Sequence, residues 1–324
     1  AIRKVYEELE LEIQFLIEEI EYDGFKVNTE KLRSSFKLCD DEMLECEEDL
    51  SKLLGGVPAR IGSSEWLSST FIDKMGWWTP TEDNVLGKKG LHSTRAAFLL
   101  KWSEGQGTTA KGKKAAALVH RYRRLGKIRS TYTVSLADLA DENDRVHTHF
   151  NQTGTDTGRF SSSSPNFQNI PNPSENLPNI RECFIARDGF TLIDCDYSQV
   201  ELRLLAHFSG DRVMSRVFAE GGDIHQETAD QVGCDRSQGK TLNFAVLYGM
   251  GPMNLSLKLG ISMNEAKAFL RKYFARFSGV DIFRKRVKRF VREKGYVTTI
   301  LGRRRPLLHL SLIHISEPTR QAEI

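Results

Sequence analysis

Apolar positions along this chain recur mostly at helical spacing, and the stretches that break the rule are few enough to name. From Val5 the series runs through Leu9, Ile13, Leu16, Ile17 and Ile20 with acids between. That spacing predicts one amphipathic helix over Ala1–Glu21, ended by Asp23-Gly24. Asn28 or Thr29 then stands ahead of a second periodic run reaching about Leu54, where Gly55-Gly56 follows. A short polar residue in front and a glycine behind are what a capped helix needs. Further helices are expected at Gly62–Trp66, Ser93–Trp102 and Lys111–Gly126. Between them Gly76–Gly90, rich in Gly, Trp, Pro and Lys, reads as a flexible basic tip. Strand-like runs are short, around Val146–Phe150 and Phe184–Asp196, and residues 221–295 return to helical spacing. No internal repeat interrupts the pattern.

Charge changes the picture locally rather than globally. The net charge is only +3 over 324 residues, so no overall polybasic character points to a partner. Yet Lys111–Arg129 holds eight Lys/Arg and no acid, Asp40–Asp49 holds seven acids in ten positions, and Asp281–Lys294 and Arg303–Arg305 are basic. Segregated basic stripes of this kind suit phosphate backbones. Arg121, Arg123, Arg124 and Lys127 are the expected contacts on the first of them. The five cysteines (39, 46, 183, 195 and 234) form no C-x-x-C pair, which argues for a reducing compartment and against zinc or disulfides. No apolar run approaches the length of a membrane span.

Candidate chemistry concentrates between Asn151 and Gly249. The run Phe190, Leu192, Ile193 stops at Asp196, and a helical pattern of Val200, Leu204, Leu205 and Phe208 follows. A carboxylate at the end of a strand, facing a cleft, is where a hard cation such as Mg²⁺ would be held. Asp194 reads as a solvated neighbour. Farther on, Asp235 is a plausible N-cap with Gln238 three positions later, as in a capping box. Arg236, Lys240, Phe244 and Tyr248 then recur every four residues, so a helix sets them on one slowly drifting stripe. Two cations followed by an aromatic ring and a phenol suit a triphosphate at one end and a sugar and base at the other. Gly239 inside that helix costs about 1 kcal/mol relative to Ala, and close approach to a ligand would explain it.

Four segments carry a resemblance, in this order. Thr157-Gly158-Arg159-Phe160-Ser161-Ser162-Ser163, with Pro165-Asn166-Phe167-Gln168-Asn169-Ile170-Pro171, is followed by Asp196-Tyr197-Ser198-Gln199-Val200-Glu201-Leu202-Arg203. Then come Asp223-Ile224-His225-Gln226-Glu227-Thr228-Ala229 and the stripe Arg236 to Gly249. Together they resemble the motifs of the family A DNA polymerases, the DNA polymerase I group, over about Val5 to His309. The resemblance implies an α+β, right-hand polymerase with a helical thumb, an incomplete antiparallel β palm and helical fingers. On that basis residues 1–22 would be a helix leading from an upstream, exonuclease-like domain, 23–129 the thumb and 130–220 the first part of the palm. Residues 221–295 would be the fingers and 296–309 the return toward the palm.

The same resemblance implies DNA-templated addition of deoxynucleoside triphosphates to a primer 3′-OH by a two-metal mechanism with Mg²⁺. Asp196 and Lys240 are the expected catalytic residues, with Asp196 and the Tyr197 carbonyl as metal ligands. Tyr197, Ser198, Gln199, Glu201, His225, Arg236, Lys240, Phe244 and Tyr248 are expected to bind the nucleotide, Glu201 as the gate against a ribose 2′-OH. Arg159, Asn166, Gln168 and Asn169 are expected at the minor groove of primer–template DNA, whose purine N3 and pyrimidine O2 acceptors every correct pair shares. The implied protein is a monomer of the bacterial or phage-infected cytoplasm with no membrane partner. The eleven steps from His225 to Arg236 match phage-type members.

A departure follows Leu301–Pro306. Family members continue to a palm strand with a His-Asp-Glu motif, and nothing here resembles it. Leu310–Ile324 instead reads as translated transposon-type sequencing adapter, and the start at Ala1 reads as internal to a longer protein. The expectation is an inactive fragment of an active parent. Two other readings are a single-subunit RNA polymerase, against which Glu201 argues, and a catalytically dead DNA-binding fragment.

Overall fold

The computed structural model describes residues 2–58, 60–80 and 91–307. The chain divides into two compact units, residues 11–192 and residues 1–10 with 193–324. It is mostly helical, and among the described residues its strands form three separate two-stranded antiparallel ladders. No helix among them is long and apolar enough to cross a membrane.

The chain opens with α1 (Ile2–Val5) and wide turns over Tyr6–Glu10, continuing into α2 (Leu11–Asp23). Of the apolar face expected on this segment only Val5 and Ile17 are buried. In the 11–192 unit β1 (Phe25–Lys26) precedes the long α3 (Thr29–Leu54). Asn28 caps that helix, its Oδ1 accepting from the Lys31 amide at 2.8 Å, and Gly55 ends it at φ 70°. Next come α4 (Ser64–Leu67), α5 (Ala96–Glu104), α6 (Ala110–Ile128) and α7 (Ser135–Leu139). Then β2 (Arg145–Val146), β3 (His149–Asn151) and β4 (Ser161–Ser163) complete the regular elements of the unit. β1 pairs with β2, Phe25 opposite Val146, and β3 pairs with β4, Phe150 opposite Ser162.

Two apolar cores hold this unit. One joins α3 to the end of α6 and the turns after it through Leu32, Cys39, Leu125 and Tyr132. The other is aromatic: Trp78 stacks on Trp102 (4.7 Å between rings) and on Phe71 (4.4 Å). The indole N–H of Trp78 donates to the Gly112 carbonyl at 2.8 Å, which satisfies its one polar atom. This corrects the reading of Gly76–Gly90 as a tip, at least at its start. Trp78 is 1% exposed and belongs to the core. Residues 81–90 lie outside the described part.

A second correction concerns Phe184–Asp196. Among the described residues no ladder forms there beyond a single bridge between Val27 and Phe184. A strand needs a neighbour for its amides and carbonyls, and among the described residues none lies beside 190–196. Phe190, Leu192 and Ile193 are accordingly exposed rather than packed.

The other unit contains α8 (Val200–Ser209), α9 (Arg212–Ala219), α10 (Ile224–Val232), α11 (Arg236–Leu247), α12 (Pro252–Leu259), α13 (Met263–Arg276) and α14 (Ser278–Lys294). It closes with the ladder of β5 (Tyr296–Thr298) and β6 (Arg304–Pro306). One core joins all seven helices, with Leu202, Met214, Ile224, Leu242, Leu255, Tyr273 and Val280 among its members. Asp211 caps α9 at the Val213 and Met214 amides and also accepts from the Gly279 amide at 2.9 Å, tying α9 to the start of α14. Arg303 pairs with Glu10, which attaches the first residues of the chain to this unit. The expected adapter-derived tail and the last residues of the 296–309 return lie outside the described residues.

Candidate active site

The site is built on the approach to α8 and on the α10–α11 pair. Asp235 caps α11 through the Gln238 amide at 2.9 Å, and the Gln238 side chain reaches back to the Asp235 amide, so the capping box forms. That fixes the phase of the helix, and Arg236, Lys240 and Phe244 follow on one face. At the other wall the chain turns through Gln199, which is left-handed at φ 53° and precedes α8. A non-glycine residue there carries strain of about 1–3 kcal/mol, held by helix α8 on one side and by the Arg203 side chain bonding the Ser198 carbonyl at 2.9 Å on the other.

These elements enclose a cavity of about 370 Å³ lined by Asp196, Tyr197, Gln199, Val200, Glu201, His225, Arg236, Lys240 and Phe244. Seven of the nucleotide residues expected from sequence therefore meet around one space, with Asp196. Two do not line it. Ser198 is exposed outside the lining, and Tyr248 lies one turn beyond Phe244, its ring stacked on that ring at 6.3 Å and 15°. Asp194 is exposed and apart from the cavity.

Gly239 has a different cause from the one expected. A Cβ built on it would stand 2.5 Å from the His225 carbonyl oxygen and 3.1 Å from Ala229. The missing side chain lets α10 and α11 touch backbone to backbone; it makes room for a helix rather than for a ligand.

The electrostatics sort the cations. Arg236 is exposed, but its Nε is bound to Asp223 Oδ2 at 2.6 Å. Asp223 also caps α10 at the His225 and Gln226 amides. Burial alone would raise the Asp223 carboxyl; the Arg236 guanidinium and those two amides outweigh it and hold it below the ordinary carboxylate value. Lys240 has no acid within ion-pair reach among the described residues. His225 is held below its ordinary value by burial first; Asp223 opposes the shift, and Arg236 and Lys240 add to it. Burial and the two nearby cations both favour the uncharged imidazole.

Sequence reasoning missed Asp223, and also Asn243, which lies 3.1 Å from the His225 ring behind the cavity and bonds Thr228. Asp223 was readable as an N-cap ahead of α10. Asn243 gave one signal, a polar residue between Leu242 and Phe244 on a helix whose neighbours are core.

Residues 29–323 match DNA polymerase family A. The chain belongs to that family. Among relatives, DNA polymerase I, thermostable, from Thermus aquaticus is 38% identical over 311 residues, covering 93% of this chain and 36% of that protein. DNA polymerase I from Helicobacter pylori is 38% identical over 308 residues, covering 92% and 32%. Among solved structures, the POL domain of Pol1 from M. smegmatis, in complex with DNA primer-template and dNTP, superposes with a TM-score of 0.85 at 28% identity. That match covers 97% of this chain and 56% of the other. The chain spans about a third of the length of the curated relatives it matches. Family A enzymes generally use divalent metal ions.

The residues expected to meet DNA belong to the 11–192 unit of this family A chain. Arg159, Asn166, Gln168 and Asn169 are exposed around β4 and the single turn Phe167–Asn169. Asn166 spends its Oδ1 on that turn, accepting from the Gln168 amide and the Ser162 hydroxyl, so its Nδ2 is the atom left for a partner. The expectation for α6 divides. Arg124 and Lys127 are exposed, without an acid partner among the described residues. Arg121 instead pairs with Glu42 (3.1 Å) and Glu45 (3.8 Å) of α3. Arg123 turns inward to the Thr94 carbonyl (2.5 Å), the Gly62 carbonyl (3.1 Å) and the Ser64 hydroxyl (3.2 Å). Arg123 is a brace between segments rather than a free phosphate contact.

Proposed function

We propose that this chain is the polymerase region of an enzyme that adds deoxynucleoside triphosphates to a primer 3′-OH on a DNA template. The observation that carries this reading is the single cavity in which one free lysine, a guanidinium held by Asp223, a neutral imidazole, a phenylalanine and two carboxylates converge. Within it Lys240 and Arg236 neutralise the triphosphate, and His225 adds a hydrogen bond without adding charge. Phe244 packs on sugar and base, and Tyr248, stacked behind it, extends the surface toward the templating base. Glu201 fills the space of a ribose 2′-OH, which favours deoxynucleotides and speaks against the RNA polymerase reading.

The metal requirement fits these residues in one way. Among the described residues no group of three His, Cys, Asp or Glu side chains could hold an ion alone. Mg²⁺ is commonly bound through one or two carboxylates with substrate phosphates and water completing the octahedron. Asp196 and the Tyr197 carbonyl would be this chain's share of such a shell. Bound there, Mg²⁺ supplies charge neutralisation at the reacting phosphate.

In this reading residues 23–129 are the thumb, 130–220 the first part of the palm, 221–295 the fingers and 296–309 the return toward the palm. Arg159, Asn166, Gln168 and Asn169 face the minor groove, and Arg124 and Lys127 hold backbone phosphates.

The test separates nucleotide from DNA. In equilibrium titrations of Mg²⁺–deoxynucleotide into the chain bound to primer–template, Lys240→Ala should weaken nucleotide binding about 10- to 100-fold, the worth of a charge-assisted bond. Affinity for the primer–template itself should hardly change. Equal losses on both ligands would reject the placement of the nucleotide at this cavity.

A further inference from the structure

Asn243 is completely buried in the middle of α11, where an amide costs helix propensity and an unpaired polar group costs more. Its partners are specific. Nδ2 lies 3.1 Å from His225 Nδ1, 3.0 Å from the Thr228 hydroxyl and 3.4 Å from the Ile224 carbonyl oxygen. The Thr228 hydroxyl donates to the same Ile224 carbonyl at 2.8 Å and lies 3.2 Å from Asn243 Oδ1.

The backbone decides which way the amide faces. A carbonyl oxygen only accepts, so the Asn243 atom beside the Ile224 carbonyl must be the amide nitrogen. With nitrogen there, Asn243 is a donor toward His225 Nδ1, and a donor demands a lone pair on that ring nitrogen. The imidazole proton is left on Nε2, the remaining polar atom of a ring that lines the cavity beside Lys240.

We propose that Asn243 is a positioning residue, locking His225 as a neutral ring with its proton on Nε2 so that it donates to a phosphate oxygen of the incoming nucleotide. This rests on the nucleotide reading of the cavity. The lock matters because the other tautomer would turn a lone pair toward phosphate, replacing attraction by repulsion. The charged groups around the ring are Asp223 at the start of α10, Arg236 and Lys240 on α11, and Asp196 and Glu201 across the cavity. Glu227, also on α10, is occupied by Arg276 of α13 at 2.8 Å.

Ring-nitrogen NMR on the ¹⁵N-histidine-labelled chain tests this, with the His225 signals assigned by their loss in His225→Gln. The expected wild-type pattern is an unprotonated Nδ1 and a protonated Nε2 near pH 7.5. Asn243→Asp keeps the shape but offers only acceptors, so the two nitrogens should exchange roles. In that variant Mg²⁺–dATP should bind more tightly as pH falls from 8 to 6, measured relative to wild type, because Nε2 can donate only after the ring takes a second proton. A protonated Nδ1 in wild type overturns the lock without need of any variant, and an unchanged pattern in Asn243→Asp overturns it as well. If the lock behaves as stated but the wild-type Nε2 signal ignores saturating Mg²⁺–dATP on primer–template, the phosphate-donor role falls together with the nucleotide reading, and that failure is distinct from failure of the lock.

Discussion

Helices α6 and α11 carry similar chemistry in sequence, several cations with an aromatic residue among them, and the fold uses them in opposite ways. On α6 two arginines are taken up within the fold: α3 supplies Glu42 and Glu45 to Arg121, and just past the end of the helix Asp40 takes Arg129 at 2.5 Å. Arg123 braces three segments through two carbonyls and a hydroxyl. On α11 the charges face open space. Arg236 is held at one nitrogen by Asp223, and Lys240 is left for whatever enters. The difference teaches that a run of cations identifies a surface, while what stands opposite each one decides its role. From the acidic stretch Asp40–Asp49, Glu42 and Glu45 partner Arg121 and Asp40 partners Arg129.

The largest expected effect breaks the comparison on the α6 side. Arg123→Ala leaves the Thr94 carbonyl without its donor and should cost about 3 kcal/mol of stability. Thermal melting should show it, while the salt dependence of DNA binding stays unchanged. A shallower salt slope with intact stability would return Arg123 to the phosphate contacts. Next is Gly239→Ala, which drives a methyl against the His225 carbonyl. Overpacking of about 1–3 kcal/mol is offset by roughly 1 kcal/mol of helix propensity, so a net loss of up to about 2 kcal/mol is expected, with weaker nucleotide binding. Unchanged melting would show that α10 and α11 are looser than described.

Smaller is the joint change Arg124→Ala and Lys127→Ala. If both neutralise phosphates, the slope of log affinity against log salt should fall by about two. An unchanged slope would leave α6 with no DNA role. The smallest effect is in pH. His225 is held below its ordinary value of 6.5, so the unfolded chain takes up the proton first as pH falls. Its neutral burial therefore supports the fold fully above pH 6.5, and stability declines as pH drops below that value. His225→Gln should flatten that part of the stability–pH curve. His120, also lowered by burial and then by Arg124, remains as a background contribution. An identical curve in the variant would remove His225 as the cause.

Local rules suffice wherever a feature depends on its near neighbours. The cap at Asn28, the stop at Gly55 and the box of Asp235 with Gln238 all form as the sequence predicts. The stripe Arg236, Lys240, Phe244 also faces one space, because a helix phase is fixed by its own spacing. What sequence alone misplaces depends on distant partners. Gly239 answers to a carbonyl on another helix, Trp78 to Trp102, and Arg123 to Thr94 and Gly62. The apolar run before Asp196 has the composition of a strand, but a ladder needs a neighbour, and composition does not provide one.

The two-residue ladder of β1 and β2 has a consequence for how the 11–192 unit is assembled. It clips Phe25 to Val146, while the Val27 amide bonds the Asp144 carbonyl at 2.8 Å and the Thr29 hydroxyl bonds the Asp144 carboxylate at 2.9 Å. The chain thus leaves and returns through one doorway. Closing an excursion of that length costs about 4 kcal/mol of chain entropy, more than so short a ladder returns. The packing of α3 against α6 must keep the doorway shut. The helices between keep the aromatic core to themselves, but the other core also takes in Val146, Ile180 and Cys183 from beyond the clip, so the doorway is sealed from both sides of the chain.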